Sequence, residues 1–337
     1  MRQLTLVEPH RLEWWDVDDP ERRDGRDALV RPLAVATCDL DAPIIAGRTP
    51  YEPPIAIGHE CVAEVIEAGD SGPARGAIVS VPFQLSCGRC ERCRRGLTGN
   101  CDSVPFLSMY GFGSFGGDWG GFISDVVRVP FADHMLAPIP NGLAAEAAAS
   151  VSDNVVDGWR LVAPGLERWP GGEALIAGGS PSVGLYAVQV ATALGAARVV
   201  YCDVEEDRLR KAERLGAEVV EGYPERLGPF PITAMVSAET AALALALRST
   251  APDGICTSAG IVFQPEVPIP LIEMYTKITT FRTGRPHARP TIPAVLDLMA
   301  DGALQPELVT DRVAAWDEAP EALEDNRGKL VFSRAAQ

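Results

Sequence analysis

The sequence predicts two domains: a mostly β domain and, inserted within it, an α/β domain built on a parallel sheet. Three observations lead there. Residues 1 to about 150 are rich in Pro and Gly, hold six of the eight Cys, and carry short apolar stretches separated by turn signals. From about residue 173, strand-like apolar runs alternate with helix-like segments, as in a parallel sheet with crossover helices. After about Thr283 the Pro-punctuated texture returns, so the α/β part interrupts the first domain.

The elements follow in order. In the first domain the apolar runs at 28–33, 62–67 and 77–82 read as strands. In the second, 173–177 (EALIA) is a short strand that leads into a Gly-rich turn. Residues 183–194 (VGLYAVQVATAL) then place apolar side chains at helical spacing, and Gly195 closes the segment. A strand is expected at 198–202 and a charged amphipathic helix at 205–215, closed by Gly216. Further strands are expected at 219–220, 232–237 and 255–262, with an Ala/Leu-rich helix at 240–248. The apolar run 254–262 comes late in the unit and is expected at the sheet edge, where a second subunit would cover it. Helix 292–300 and strand 329–333 complete the first domain.

A chain of 337 residues suits about two domains at about 100–200 residues each. Lys and Arg number 30 against 46 Asp and Glu, a net charge of −16. So acidic a surface repels nucleic acid and anionic membrane, which argues against both as partners. The first residues lack the apolar core of a signal peptide, and no run of about eighteen apolar residues marks a membrane span. The chain is expected in the cytoplasm, its cysteines thiols or metal ligands rather than disulfides.

Cys87, Cys90, Cys93 and Cys101 form the strongest signal. Closely spaced thiolates in a tight loop supply the tetrahedral set that a structural zinc ion takes. Arg89, Arg92, Arg94 and Arg95 would help keep those thiols ionised. An iron–sulfur cluster and a disulfide pair are the other readings. Gly58-His59-Glu60 follows a turn-rich segment, and Cys38 precedes it by 21 residues. Taken singly, Cys38 reads as a small core residue and His59 as a satisfied imidazole.

Taken together, Cys38, then Gly58-His59-Glu60, then Cys87-x-x-Cys90-x-x-Cys93-x7-Cys101, then strand, Gly-rich turn and helix, resemble the zinc-containing alcohol dehydrogenases of the medium-chain dehydrogenase/reductase superfamily. The likeness runs through nearly the whole chain. It implies a GroES-like β-rich catalytic domain (1–154 and 284–337, with the zinc loop at 87–101) and a Rossmann doubly wound domain (155–283), the active site lying in the cleft between them. It implies two zinc ions per chain. Cys38 and His59 would bind the catalytic one, with Glu60 beside it. Asp153 resembles the carboxylate that some relatives use as the third ligand. Cys61 and Glu60 are its rivals, and a helix N-cap is its plain reading. Two departures stand out: Leu40 occupies the place of the family's proton-relay hydroxyl, and Pro43 that of a common His. A carboxylate such as Asp41, the cofactor ribose or water would have to serve instead.

Gly178, Gly179, Ser182, Val183 and Gly184 frame the turn at which a pyrophosphate would meet a helix N-terminus, although Pro181 removes one N–H donor. Asp203 ends the next strand, 19 residues past Gly184. There it would bind the adenosine ribose hydroxyls and favour NAD over NADP, with Arg208 beside it. Its other reading is a cap on the following helix. The expected function is oxidation of an alcohol by NAD, or the reverse, zinc acting as Lewis acid. Leu40, Tyr110, Phe112 and Trp119 are candidate walls of an apolar substrate pocket. A polyol, sugar or threonine dehydrogenase is the related alternative, and a catalytically silent zinc- and NAD-binding protein the distant one. A homodimer or homotetramer is expected.

Overall fold

The computed structural model describes residues 1–325 and 328–334. It contains two compact units, residues 1–156 with 287–337 and residues 157–286.

In the first unit a seven-stranded sheet runs in the order Arg312–Ala315, Leu330–Ser333, Ala28–Ala36, Glu60–Glu67, Ile78–Val81, Ala137–Pro138, with Val127–Val129 also paired to Ala28–Ala36. Its two central strands, Ala28–Ala36 and Glu60–Glu67, are antiparallel and apolar enough to be buried along most of their length. A second sheet of three strands, Arg11–Asp16, Arg2–Glu8 and Ile55–Ala56, completes the unit's β structure. The long connection between Val81 and Val127 carries the four-cysteine loop.

The second unit is a six-stranded, fully parallel sheet in the order Glu218–Glu221, Val199–Asp203, Ala174–Ala177, Phe230–Met235, Thr250–Ser258, Thr280–Thr283. The order reverses at Ala174–Ala177, so this is the doubly wound arrangement that alternating strands and helices predict. All four residues of that first strand are buried, as a strand covered on both faces requires. The helix Thr240–Ser249 packs Leu243, Leu245 and Leu247 into a core with Leu175, Val200 and Phe230.

One expectation fails. The late apolar strand is not the sheet edge. Thr250–Ser258 lies between Phe230–Met235 and Thr280–Thr283, and the latter holds the edge. Sequence TFRT is short and mostly polar, as edge strands tend to be, so periodicity passed over it. Among the described residues no helix is long and apolar enough to cross a membrane.

Candidate functional site

Strand register explains how residues far apart in sequence meet in the first unit. Ala36 pairs with Glu60 on one side and with Val331 on the other, both antiparallel. The residues just beyond these ends, Cys38, His59 and Lys329, therefore leave the sheet together. Gly58 makes the turn into His59 possible: its φ is +96°, and a Cβ there would stand 2.9 Å from the backbone N of Ile123. Asp153 arrives from a tight turn, Ala149–Ser152, which is pinned to the same sheet because the Cys61 N–H donates to Ser152 Oγ at 2.9 Å.

Cys38 Sγ, a ring nitrogen of His59 and a carboxylate oxygen of Asp153 all lie within 4.8 Å of one another. His59 Nε2 stands 3.5 Å from Asp153 Oδ2, and Nδ1 stands 3.7 Å from Asp41 Oδ1. Neither ring nitrogen makes a hydrogen bond to any described residue, although the side chain is buried. Orphaned buried nitrogens are rare unless another partner is intended. Burial opposes a charge on His59, yet Asp41 and Asp153 hold its pKa up at about 9. Burial, then the charges of Asp153, Glu60, Asp41 and Asp39, push the Cys38 thiol well above its ordinary range. A divalent cation among Cys38, His59 and Asp153 would offset this crowd of acidic groups and take up the Nε2 that faces Asp153, so these residues fit zinc.

The other predicted members take different places. Cys61, the rival ligand, is buried within the sheet, paired with Val35 and Val81, and burial raises its thiol well above the usual range. Glu60 turns away: its Oε2 accepts from Lys329 Nζ at 2.7 Å, and both side chains are fully buried. Burial raises the Glu60 pKa and Lys329 pulls it back. Asp41 is also buried, and its Oδ2 accepts the Cys38 N–H at 2.8 Å while Oδ1 faces His59. It braces two residues of the site.

The cysteine loop brings Cys87, Cys90, Cys93 and Cys101 sulfurs within 4.8 Å of one another. Cys90 and Cys101 sulfurs are 3.9 Å apart, far beyond a disulfide and close to the roughly 3.8 Å edge of a tetrahedron with zinc–sulfur bonds of about 2.3 Å. Burial works against ionisation of Cys87, but the Ser103 hydroxyl at 3.1 Å and the N–H groups of Arg89 and Cys90 lower its pKa to about 6. Arg89 pairs with Asp133 and Arg92 with Asp102, and the hydrogen bonds to the Cys87 sulfur come from backbone N–H groups and Ser103. Zinc of the structural kind fits this loop. Cys93→Ser is expected to lower the thermal unfolding midpoint by several degrees and to release about one zinc per chain, read by calorimetry and elemental analysis.

In the second unit the Gly-rich turn runs from Ala174–Ala177 to the helix Val183–Ala193, with Ser182 as its buried N-cap position. Gly179 has φ +120°, and a Cβ there would lie 2.5 Å from Ser237 Oγ. Gly184 lies against Val236 and Tyr201. Asp203 is fully buried, and its carboxylate accepts four sets of donors: Tyr201 OH at 2.7 Å, Gly179 N–H at 2.9 Å, Glu205 N–H at 3.0 Å, and both Arg208 nitrogens at 2.8 and 2.7 Å. These donors, above all Arg208, lower its pKa against the effect of burial. Asp203 thus ties the strand end to the glycine turn and to the next helix, a partner set that sequence position alone did not reveal.

Of the candidate pocket walls, Phe112 lies against the His59 ring at a centroid distance of 4.8 Å. Tyr110 does not line a pocket: it is fully buried and its OH donates to the Arg128 carbonyl. Trp119 sits beneath the Arg128 guanidinium, and Leu40 is half-buried. Reasoning from sequence missed Phe83, 5.9 Å from His59, and Tyr51, packed edge-on to Phe112 at 5.5 Å. It also missed Lys329 and Asn154, whose amide reaches Cys38.

Comparison with known proteins agrees with this architecture. Residues 24–141 match the alcohol dehydrogenase GroES-like domain, and residues 182–301 match the zinc-binding dehydrogenase domain. A glutathione-independent formaldehyde dehydrogenase of Pseudomonas aeruginosa is 34% identical over 236 residues, 65% of this chain; the match spans only 58% of that protein. An alcohol dehydrogenase of a Thermus species is 29% identical and superposes with a TM-score of 0.87 over 99% of both chains. The fold is shared with acetophenone reductase from Geotrichum candidum, solved in complex with NAD, at 22% identity and a TM-score of 0.84 over 100% of this chain and 98% of that one. With both domains matched in order and both cysteine-containing clusters assembled, the chain belongs to the zinc-containing alcohol dehydrogenase family of the medium-chain dehydrogenase/reductase superfamily.

Proposed function

We propose that the chain is a zinc-dependent alcohol dehydrogenase that transfers hydride between an alcohol and NAD, with Cys38, His59 and Asp153 as ligands of the catalytic metal. The observation that carries the reading is the convergence of those three donor atoms within 4.8 Å around a histidine whose two nitrogens lack hydrogen bonds. When bound, zinc supplies a Lewis acid for the substrate oxygen and the dinucleotide supplies the hydride acceptor. Cys38 and Asp153 bring two negative charges and a neutral His59 none, so the set balances a divalent ion. Asp41 faces His59 Nδ1 and so orients the ring, as an outer carboxylate does for a metal-bound histidine. Lys329 holds Glu60 off the ligand set. Phe83 and Phe112 line the His59 side with aromatic surface, which suits alcohols with apolar substituents over sugars. In the second unit Gly178, Gly179, Ser182, Val183 and Gly184 form the turn that would take the pyrophosphate.

The test is a panel of alcohols and aldehydes on zinc-loaded protein with each cofactor, followed by NADH or NADPH absorbance. Turnover is expected with NAD at least about tenfold more efficient than with NADP, a difference of about 1.4 kcal/mol. The support for this lies in Arg208, whose guanidinium is held by both Asp203 oxygens and is not free to meet a 2′-phosphate. Asp203→Ser should release it and narrow the gap. Equal use of both cofactors by the unaltered protein would remove Asp203 from cofactor choice, and absence of turnover with any substrate would remove the enzymatic reading.

We also propose a homodimer or a dimer of dimers. The edge strand Thr280–Thr283 lies beside an apolar helix, Leu271–Lys277, on which Leu271, Ile272 and Tyr275 are 65%, 71% and 79% exposed. An uncovered edge and an apolar face together suit a second copy of the chain. Light scattering at micromolar concentration should give at least twice the chain mass, and a monomer would overturn this. The eight cysteines lie outside disulfides, five of them in the two proposed zinc sites, which suits a reducing compartment such as the cytoplasm.

A further inference from the structure

Asn154 opens the helix Asn154–Arg168 directly after Asp153, is only 2% exposed, and reaches back to Cys38. Its Oδ1 lies 3.3 Å from Cys38 Sγ, and its Nδ2 lies 3.4 Å from Asp39 Oδ1. This arrangement satisfies a thiol, which donates to Oδ1 while the amide N–H donates to Asp39. It does not satisfy a metal ligand. A ligating cysteine is a thiolate with no proton to give, and the amide oxygen would then present its lone pairs to an anion. A half-turn of the carboxamide exchanges Oδ1 and Nδ2 almost in place. An N–H then meets the sulfur, and a charge-assisted bond replaces a repulsion. Asp39 loses that donor, but it is partly exposed and water can solvate it.

We infer that Asn154 is a positioning residue for the catalytic metal: its carboxamide, 3.3 Å from Cys38 Sγ, donates an N–H to that sulfur when Cys38 is a ligand. The inference rests on the metal centre proposed above. A hydrogen bond to a ligating sulfur draws charge from it, so the sulfur donates less to the ion and the ion remains a stronger Lewis acid.

Cobalt(II) is the probe, since its sulfur-to-metal charge-transfer absorption reports on the thiolate directly. The full chain is stripped of metal and loaded with cobalt(II). Subtracting the spectrum of Cys38→Ser from that of the unaltered protein isolates the Cys38 contribution from that of the four-cysteine loop. Asn154→Leu, close in volume but without donors, should move this difference band to longer wavelength, because a sulfur lone pair relieved of its N–H rises in energy. It should also weaken cobalt binding at this site about 10- to 100-fold. Asn154→Gln, which keeps a carboxamide, should restore part of both. If Asn154→Leu is poorly folded by circular dichroism, Asn154→Ala gives the same comparison with a smaller side chain. A band unmoved in wavelength together with unchanged affinity would reduce Asn154 to a packing residue and overturn the inference while the metal centre stands. If Cys38→Ser removes no band at all, the metal centre itself is overturned and the inference with it.

Discussion

Asp153→Asn should keep one zinc per chain and lose measurable turnover. The unaltered protein should carry about two zinc ions, one in the four-cysteine loop and one among Cys38, His59 and Asp153. An amide in place of the carboxylate removes one of two anionic ligands and leaves the ion under-neutralised in a buried site. Asp153→Cys restores an anionic donor and should recover much of the second zinc. Cys61→Ser serves as the control, because Cys61 is enclosed in the sheet and should leave both metals in place. Two zinc ions and normal turnover in Asp153→Asn, with loss of one ion in Cys61→Ser, would reverse the assignment. The same site sets a pH dependence. Before metal arrives, His59 holds its proton up to about 9 and Cys38 holds its own higher still. Both protons must leave on loading, so zinc affinity should rise with pH and fall on acidification. Dialysis at stepped pH against a fixed zinc buffer, followed by metal analysis, reads this directly.

Lys329→Met has the second large expected effect. Lys329 and Glu60 form a fully buried ion pair at 2.7 Å, with a second Lys329 donation to the Thr37 carbonyl. Removing one partner of a buried pair costs about 3–5 kcal/mol, because the other charge is left without compensation. Here the stranded Glu60 stands next to His59, with Asp41 and Asp153 also near the ring. It would gain freedom to approach the metal and compete with substrate. A marked fall in chemical-denaturation midpoint and a rise in KM are expected. Adding Glu60→Gln to Lys329→Met should return part of the stability, since the uncompensated charge is then gone, and the double-mutant cycle should show strong non-additivity. Equal losses in the single and double variants would mean that Lys329 acts through packing alone.

The parts legible in sequence are those that chemistry forces into short, spaced patterns. Four thiols within a tight loop can do little but hold a metal, and strand–helix alternation forces a parallel sheet. Cys38, His59 and Asp153 became legible only as a set in family order, since alone Cys38 reads as a small core residue, His59 as a satisfied imidazole and Asp153 as a helix cap. The role of Lys329 was not legible: the lysine that heads KLVFS reads only as the start of a strand until the register Val331↔Ala36 places it over Glu60. Asp203 shows a different limit. Its position on the strand was readable, but the four donor sets around its carboxylate come from Tyr201, Gly179, Glu205 and Arg208, and only coordinates reveal that convergence. Likewise, Thr280–Thr283 escaped notice because a short edge strand needs neither apolar alternation nor β-branched density.

The pairing of Lys329 with Glu60 also fixes an order of events during synthesis. The two residues are 269 positions apart. At about 5–20 residues per second, a ribosome adds the lysine roughly 13–54 s after the glutamate. Through that interval Glu60 and Asp41, and later Asp153, have been made but their buried cation has not, and the strand Leu330–Ser333 has yet to join Ala28–Ala36. The second unit, whose sheet draws only on residues between Ala174 and Thr283, has all its strands in hand earlier. The nascent chain therefore has every strand of the second unit before the first unit is complete, and the buried acidic cluster receives its cation last, when Leu330–Ser333 pairs between Arg312–Ala315 and a strand begun near residue 28.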